Sequence, residues 1–154
     1  MVGLHDYVIC DRENHASIYD GCKLSYGKML RYRHNDMGDL RRKLEQVPEG
    51  CGCLVVTDGV FSMGGDIANL PEIVALAREF GARVMVDDAH GLGVIGEGGR
   101  GTASYFGLED QVDVIMGTFS KSLASLGGFM EDKERVVDYV RHNSRPFIFS
   151  ASIP

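Results

Sequence analysis

Cysteine is scarce in this chain. Cys10, Cys22, Cys51 and Cys53 are too few and too irregularly spaced for a disulfide framework, and C-G-C is not a C-x-x-C knuckle with a matching second pair. A tetrahedral structural zinc site usually needs two such knuckles, so reduced, mostly packed thiols and no metal are expected. Positive charge is also short: 16 Lys and Arg face 22 Asp and Glu, a net charge of −6. That balance gives no electrostatic grip on a phosphate backbone or an anionic membrane, so nucleic acid is excluded as a partner. Apolar runs are short as well. None approaches the roughly 20 residues that span a bilayer, and the basic-then-apolar start of a signal peptide is missing, which makes the cytoplasm the default compartment. Internal repeats, low-complexity segments and linkers are absent too.

What remains fits one soluble globular unit. The chain has 154 residues, of which 44% are hydrophobic and 25% charged, with 20 glycines, enough to bury a real core. Short β-rich runs alternate with stretches of helical period, the pattern of an α/β sheet with crossover helices. Strands are expected at 7–10, 30–33, 53–57, 83–87 and 112–117. Helices are expected at 15–26, 38–47, 70–80 and 132–142. The third is the clearest, with Ile73, Val74, Leu76, Ala77 and Phe80 on one face, Asn69 and Pro71 at its start and Gly81 at its stop. L-V-V-T and R-V-M-V-D are nearly continuous apolar runs, as expected where helices cover both faces of a parallel sheet.

Ligands of such sheets sit beyond the carboxyl ends of the strands. That rule puts 58–63, 87–90 and 118–121 along one rim. The stretch V-D-D-A-H-G-L-G-V-I-G ends an apolar strand on two acids and a histidine and then breaks into glycines, which allow tight turns and close approach. Read by itself, it is equally served by Asp88 capping a turn and His90 as a satisfied buried histidine. The next strand end, G-T-F-S-K-S, adds a lysine among hydroxyls. A lysine on a concave, partly desolvated rim has a lowered pKa and can attack a carbonyl. G-L-G-V-I-G also has dinucleotide-loop spacing, but it runs on into glycines instead of a helix, so phosphate-on-helix geometry is missing. Asp88 and Glu97 read as turn and loop acids, Arg41 to Lys43 as a solvated helix face, the methionines as core filler, and Arg100 as a residue that fixes its loop.

In order along the chain, D-R-E-N-H-A-S-I, Y-R-H-N-D-M, T-D-G-V-F-S-M-G-G-D, V-D-D-A-H-G-L-G-V-I-G-E-G-G-R-G, G-T-F-S-K and F-S-A-S-I-P resemble segments of the α-oxoamine synthases. These are enzymes that depend on pyridoxal 5'-phosphate (PLP) and have the aspartate aminotransferase fold. The resemblance runs from Asp11 to Pro154. It implies a three-layer αβα, mostly parallel sheet, the large domain of fold type I. It also implies roles: Lys121 carrying the cofactor through its amine and shuttling the substrate α-proton, His15 stacking on the cofactor ring, Asp87 pairing with the pyridine nitrogen and His90 bonding the phenolic oxygen. Ser62 would lie near the ring hydroxyl, Thr118 and Ser120 would donate to the phosphate, and Ser150 would reach the phosphate of a neighbouring subunit. The competing readings are a surface histidine at a helix start for His15 and a turn serine for Ser62.

Family members are far longer, homodimeric, and have an N-terminal part with a glycine-rich phosphate loop and a C-terminal domain that grips the substrate carboxylate. By that resemblance, residues 1–154 are the central part of the large domain, lacking the N-terminal segment and the small domain, and inactive in isolation. The implied chemistry condenses an amino acid with an acyl-CoA and releases carbon dioxide and CoA. G-T-F-S-K-S and L-G-G-F are most similar to members that take L-serine and palmitoyl-CoA, whereas S-R-P-F-I-F-S is also similar to a glycine-using member. An aminotransferase of the same fold and a catalytically silent subunit are the other readings.

Overall fold

A computed structural model describes residues 2–149. Six strands form one sheet in the order β2-β1-β3-β4-β5-β6. They are β1 (Tyr7–Asp11), β2 (Lys28–Tyr32), β3 (Cys53–Asp58), β4 (Arg83–Asp87), β5 (Val114–Thr118) and β6 (Gly128–Glu131). The first five are parallel and β6 runs antiparallel against β5. The helices are α1 (Ala16–Leu24), α2 (Met37–Leu44), α3 (Leu70–Glu79), α4 (Thr102–Phe106), α5 (Glu134–Asn143) and α6 (Arg145–Phe149). None of the described helices is long and apolar enough to cross a membrane.

Strand side chains alternate between the two faces of the sheet. Ile9, Val55, Val84 and Val86 point to one face, where Leu40 and Leu44 of α2 and Leu70, Ile73 and Ala77 of α3 close over them in the main core. Val8, Cys10 and Val56 point to the other, where Ile18 and Cys22 of α1 cover them. The expected helix at 70–80 is present. Pro71 opens it, where its missing N–H is harmless, and Gly81, at φ 67°, ends it in a conformation that other residues resist.

Cover on the second face is thinner than the continuous apolar strands imply. A cavity of about 830 Å³ opens there between Leu54 and Val114 of the sheet and Val136 and Tyr139 of α5. No residue of α5 is buried. Its valines do share one side, as the sequence pattern indicates, but they are only half-buried, and Val136 faces the cavity.

Three elements escape the sequence pattern: β6, α4 and α6. Strand β5 also starts two residues later than expected, because the side chain of Asp113 bonds the Val84 N–H at 2.8 Å and its backbone N–H reaches the Val84 carbonyl, a strand-entry clasp in place of a ladder rung.

Candidate active site

The carboxyl ends of the central strands carry acids. Asp58 ends β3 and Asp87 ends β4, and the two are direct neighbours in register. By alternation both leave the sheet on the face of Val56 and Met85. Both are buried. Asp87 Oδ1 accepts from the Ala89 N–H at 3.0 Å. Asp58 Oδ2 accepts from the His15 N–H at 3.1 Å, while its Oδ1 is buried with no hydrogen-bond partner. Burial, and then the charge of Asp87, push the Asp58 carboxyl up to about 6.

Asp88 points the other way and holds the strand end rigid. Its carboxylate accepts from the backbone N–H and the hydroxyl of Thr102, both at 2.6 Å. Gly59, Gly91 and Gly101 pack so closely around it that a methyl group on any of them would collide with the carboxylate. Burial raises the Asp88 carboxyl, and the Thr102 bonds offset part of that. The turn-acid reading of Asp88 is thus right in kind, but it understates a buried brace that ties the 88–101 loop to α4.

His90 lies half-buried on this loop. Burial, then the nearby Lys121 charge, lower its pKa, so the ring is neutral near pH 7. His15 caps α1: its Nδ1 accepts from the Ser17 N–H at 3.3 Å and lies 2.8 Å from the Ser17 hydroxyl. The ring is exposed, so the helix-start reading holds without using up the ring face. Ser62 is exposed on the 59–67 loop, which is anchored by the buried ring of Phe61.

Beyond β5, the Thr118 hydroxyl lies 2.9 Å from that of Ser120 and donates to the Gly127 carbonyl at 3.2 Å. Ser122 donates to the Leu92 carbonyl at 2.6 Å, tying the Lys121 loop to the His90 loop. Lys121 itself is exposed. The concave, desolvating rim expected around it is not formed by the described residues, since every residue of the 121–127 segment is exposed. Ser150 lies outside the described residues. Arg100 is engaged by Glu97 and Glu109 at 3.0 and 3.4 Å, which fixes the loop as expected.

The residue that motif reading left without a role is Asp58. Its signal was present, since T-D closes β3 just as V-D closes β4 on the next strand. The rim therefore brings together Asp58, Asp87, His90, His15 and the Lys121 loop. Such a set can bind a cationic ring against buried carboxylates and offer a free amine beside it.

Comparison with known proteins gives a consistent result. The model of the family "Aminotransferase class I and II" matches residues 3–154. A serine palmitoyltransferase of Sphingobacterium spiritivorum is 60% identical over 99% of this chain and 38% of its own length. An 8-amino-7-oxononanoate synthase of Geobacter metallireducens is 53% identical over 100% of this chain and 39% of its own. Among solved structures, a serine palmitoyltransferase of S. paucimobilis with a bound PLP–myriocin aldimine superposes with a TM-score of 0.96 at 46% identity, covering 100% of this chain and 40% of that one. The chain thus spans about two fifths of the length of the curated relatives it matches.

Proposed function

Because the chain belongs to the aminotransferase class I and II family, we propose that it is the central part of the PLP-binding large domain of an α-oxoamine synthase. That enzyme is an acyltransferase condensing an amino acid with an acyl-CoA and releasing carbon dioxide and CoA. The proposed pair is L-serine and palmitoyl-CoA, giving 3-ketodihydrosphingosine, in a homodimer. The observation that carries this reading is the buried, in-register pair Asp58 and Asp87 beside the loop of Lys121.

The donor set fits PLP. A buried carboxylate is costly unless a cation meets it, and Asp87, with Oδ1 on a backbone N–H, keeps its other oxygen for a protonated pyridine nitrogen. His90, held neutral, donates to a phenolic oxygen without adding charge. The hydroxyl of Ser120, and that of Thr118 once turned away from the Gly127 carbonyl, suit a phosphate. His15 offers an exposed ring face from the start of α1, and Ser62 a hydroxyl from the facing loop. Ser150 is proposed to reach the phosphate of a neighbouring subunit.

The bound cofactor supplies an electron sink for negative charge at the substrate α-carbon. Lys121 Nζ is the amine that holds the cofactor and the base that takes the α-proton. Asp87 keeps the ring nitrogen protonated, which makes the sink effective. Asp58 fixes the backbone of His15 and so the height of its ring above the rim.

The test is thiol release by the longer polypeptide carrying this chain, loaded with PLP and offered L-serine with palmitoyl-CoA or glycine with acetyl-CoA. Release with the first pair supports the reading. Release only with the second moves the assignment to a glycine-using member such as 2-amino-3-ketobutyrate CoA ligase. The likeness to an 8-amino-7-oxononanoate synthase supports a second reading within the same chemistry, tested by adding that enzyme's substrates as a third arm. Steady keto-acid formation without thiol release would point to an aminotransferase, and no turnover at all to a silent subunit.

A further inference from the structure

His34 has no part in the roles above, yet its ring stands between the two loops that carry His15 and Ser62. Nδ1 is 3.0 Å from Asp11 Oδ1, at the end of β1, and Nε2 is 2.8 Å from Asp66 Oδ2, in the 59–67 loop. An ionised carboxylate only accepts hydrogen bonds, so a ring facing one on each side satisfies both only when each nitrogen carries a proton. The other contacts of these acids fit the ionised form. Asp11 also accepts from the N–H groups of Glu13 at 2.8 Å and Asn35 at 2.9 Å, and Asp66 Oδ2 accepts from Asn35 Nδ2 at 3.0 Å. The ring packs edge-on against buried Phe61, with centroids 4.5 Å apart.

We infer that His34 is a positioning residue which, as an imidazolium between Asp11 and Asp66, fastens the loop leading to His15 to the loop carrying Ser62. The significance for cofactor binding rests on the proposed function; the clamp itself does not.

Asp11 reaches the ring from β1 and Asp66 from the 59–67 loop, while Glu13, in the turn after β1, comes within 3.8 Å of Nε2. On the ring's own turn, Arg33 pairs with Asp36 at 2.6 Å, and Asp39 of α2 accepts from the Arg33 N–H. Burial opposes the imidazolium, but the hydrogen bonds and charges of Asp11 and Asp66 outweigh it and hold His34 above the ordinary imidazole range. A folded value above the unfolded one gives stabilisation that is present at low pH and lost as pH rises through the folded value. The loss is asymmetric. The Asp11 side chain is fully buried and that of Asp66 is 42% exposed, so water can replace the proton only at the Asp66 end. Deprotonation therefore frees the 59–67 loop and leaves the Asp11 contact in place.

The test is a two-bond proton–nitrogen correlation spectrum of the histidine-labelled 154-residue chain from pH 5.5 to 9.5, with His34 assigned from His34→Gln. Both ring nitrogens should show imidazolium shifts at pH 7, with a midpoint above the ordinary value of about 6.5. Asp66→Asn should lower that midpoint. A neutral His34 at pH 7, or a midpoint indifferent to Asp66→Asn, would overturn the inference. A second readout is amide exchange at Gly65, whose N–H bonds the Phe61 carbonyl in the same loop. Corrected for its intrinsic rate, exchange should rise about tenfold as His34 deprotonates, and should lose this pH dependence in His34→Gln. Exchange that follows pH equally in both proteins would reject the clamp. Neither readout requires turnover, so failure of the clamp and failure of the proposed enzyme are separable.

Discussion

The acids and the lysine of the rim are held in opposite ways. Asp58 and Asp87 end central strands of the sheet, lie buried, and are fixed by backbone N–H groups from neighbouring loops. Lys121 follows the last parallel strand, is exposed, and sits on a loop tied back by a few hydroxyl bonds. The half of the site that must hold a fixed charge is thus built into the core and carries its electrostatic cost in the resting fold. The half proposed to move a proton stands on an exposed loop, and its desolvation has to come from something placed over it.

The strongest way to break this contrast is to remove the exposed amine. Lys121→Ala should lower kcat/KM for thiol release by roughly 10²- to 10⁴-fold or more and abolish the visible absorption that PLP acquires on joining a lysine. The melting temperature should stay unchanged, because the side chain supports nothing in the fold. A large loss of stability would mean that the loop is part of the core after all.

Asp58→Asn probes the other side. With a folded value of about 6 against about 3.9 unfolded, the native state binds the extra proton between those values. The wild-type contribution is therefore full below pH 4 and lost as pH rises through 6. Ionising the buried acid costs up to about 3 kcal/mol at pH 7.5. The variant should be more stable than wild type at pH 7.5, equal near pH 4, and weaker in binding PLP. Denaturant titrations at the two pH values would show this, and equal stability at both would mean that the acid carries no such cost.

A smaller effect is expected at the brace. Thr102→Val removes one donor from buried Asp88 and should cost about 1–3 kcal/mol in denaturant unfolding. It should perturb the His90 resonance more than that of His15, because the brace holds only the loop after β4. Least of all should come from Arg41→Ala. The fork of Arg41 on Glu79 has two bonds of 2.6 Å, but both side chains are in water. Its melting temperature should match wild type within error.

How much of this could be read from the sequence follows from what each feature depends on. Four of the five parallel strands are legible because each is an apolar run closed by a polar residue, and α3 because its caps and face agree; β2, K-M-L-R-Y, is no such run and begins two residues before the expected 30–33. Strand β6 is not: Gly128–Glu131 offers two apolar residues, and it becomes a strand only because the 119–127 loop reverses the chain beside β5. Lys121 is singled out by its neighbours in the motif, but its expected desolvation needs walls that local sequence does not specify. Asp58 was visible as a strand end, yet its burial and the charge of Asp87 beside it depend on β3 and β4 coming into register. The His34 clamp joins residues from three separate segments, and nothing in Y-R-H-N-D says which carboxylates will flank the ring.

The most direct test of the central claim is chemical trapping. The longer polypeptide carrying this chain would be loaded with PLP, reduced with borohydride, digested and mapped by mass spectrometry. The expected result is a single pyridoxyl-modified residue, Lys121, with the modification lost in Asp87→Ala at limiting cofactor. Modification at Lys23, Lys28, Lys43 or Lys133 instead, or spread evenly among the lysines, would contradict the assignment of this rim as the cofactor site.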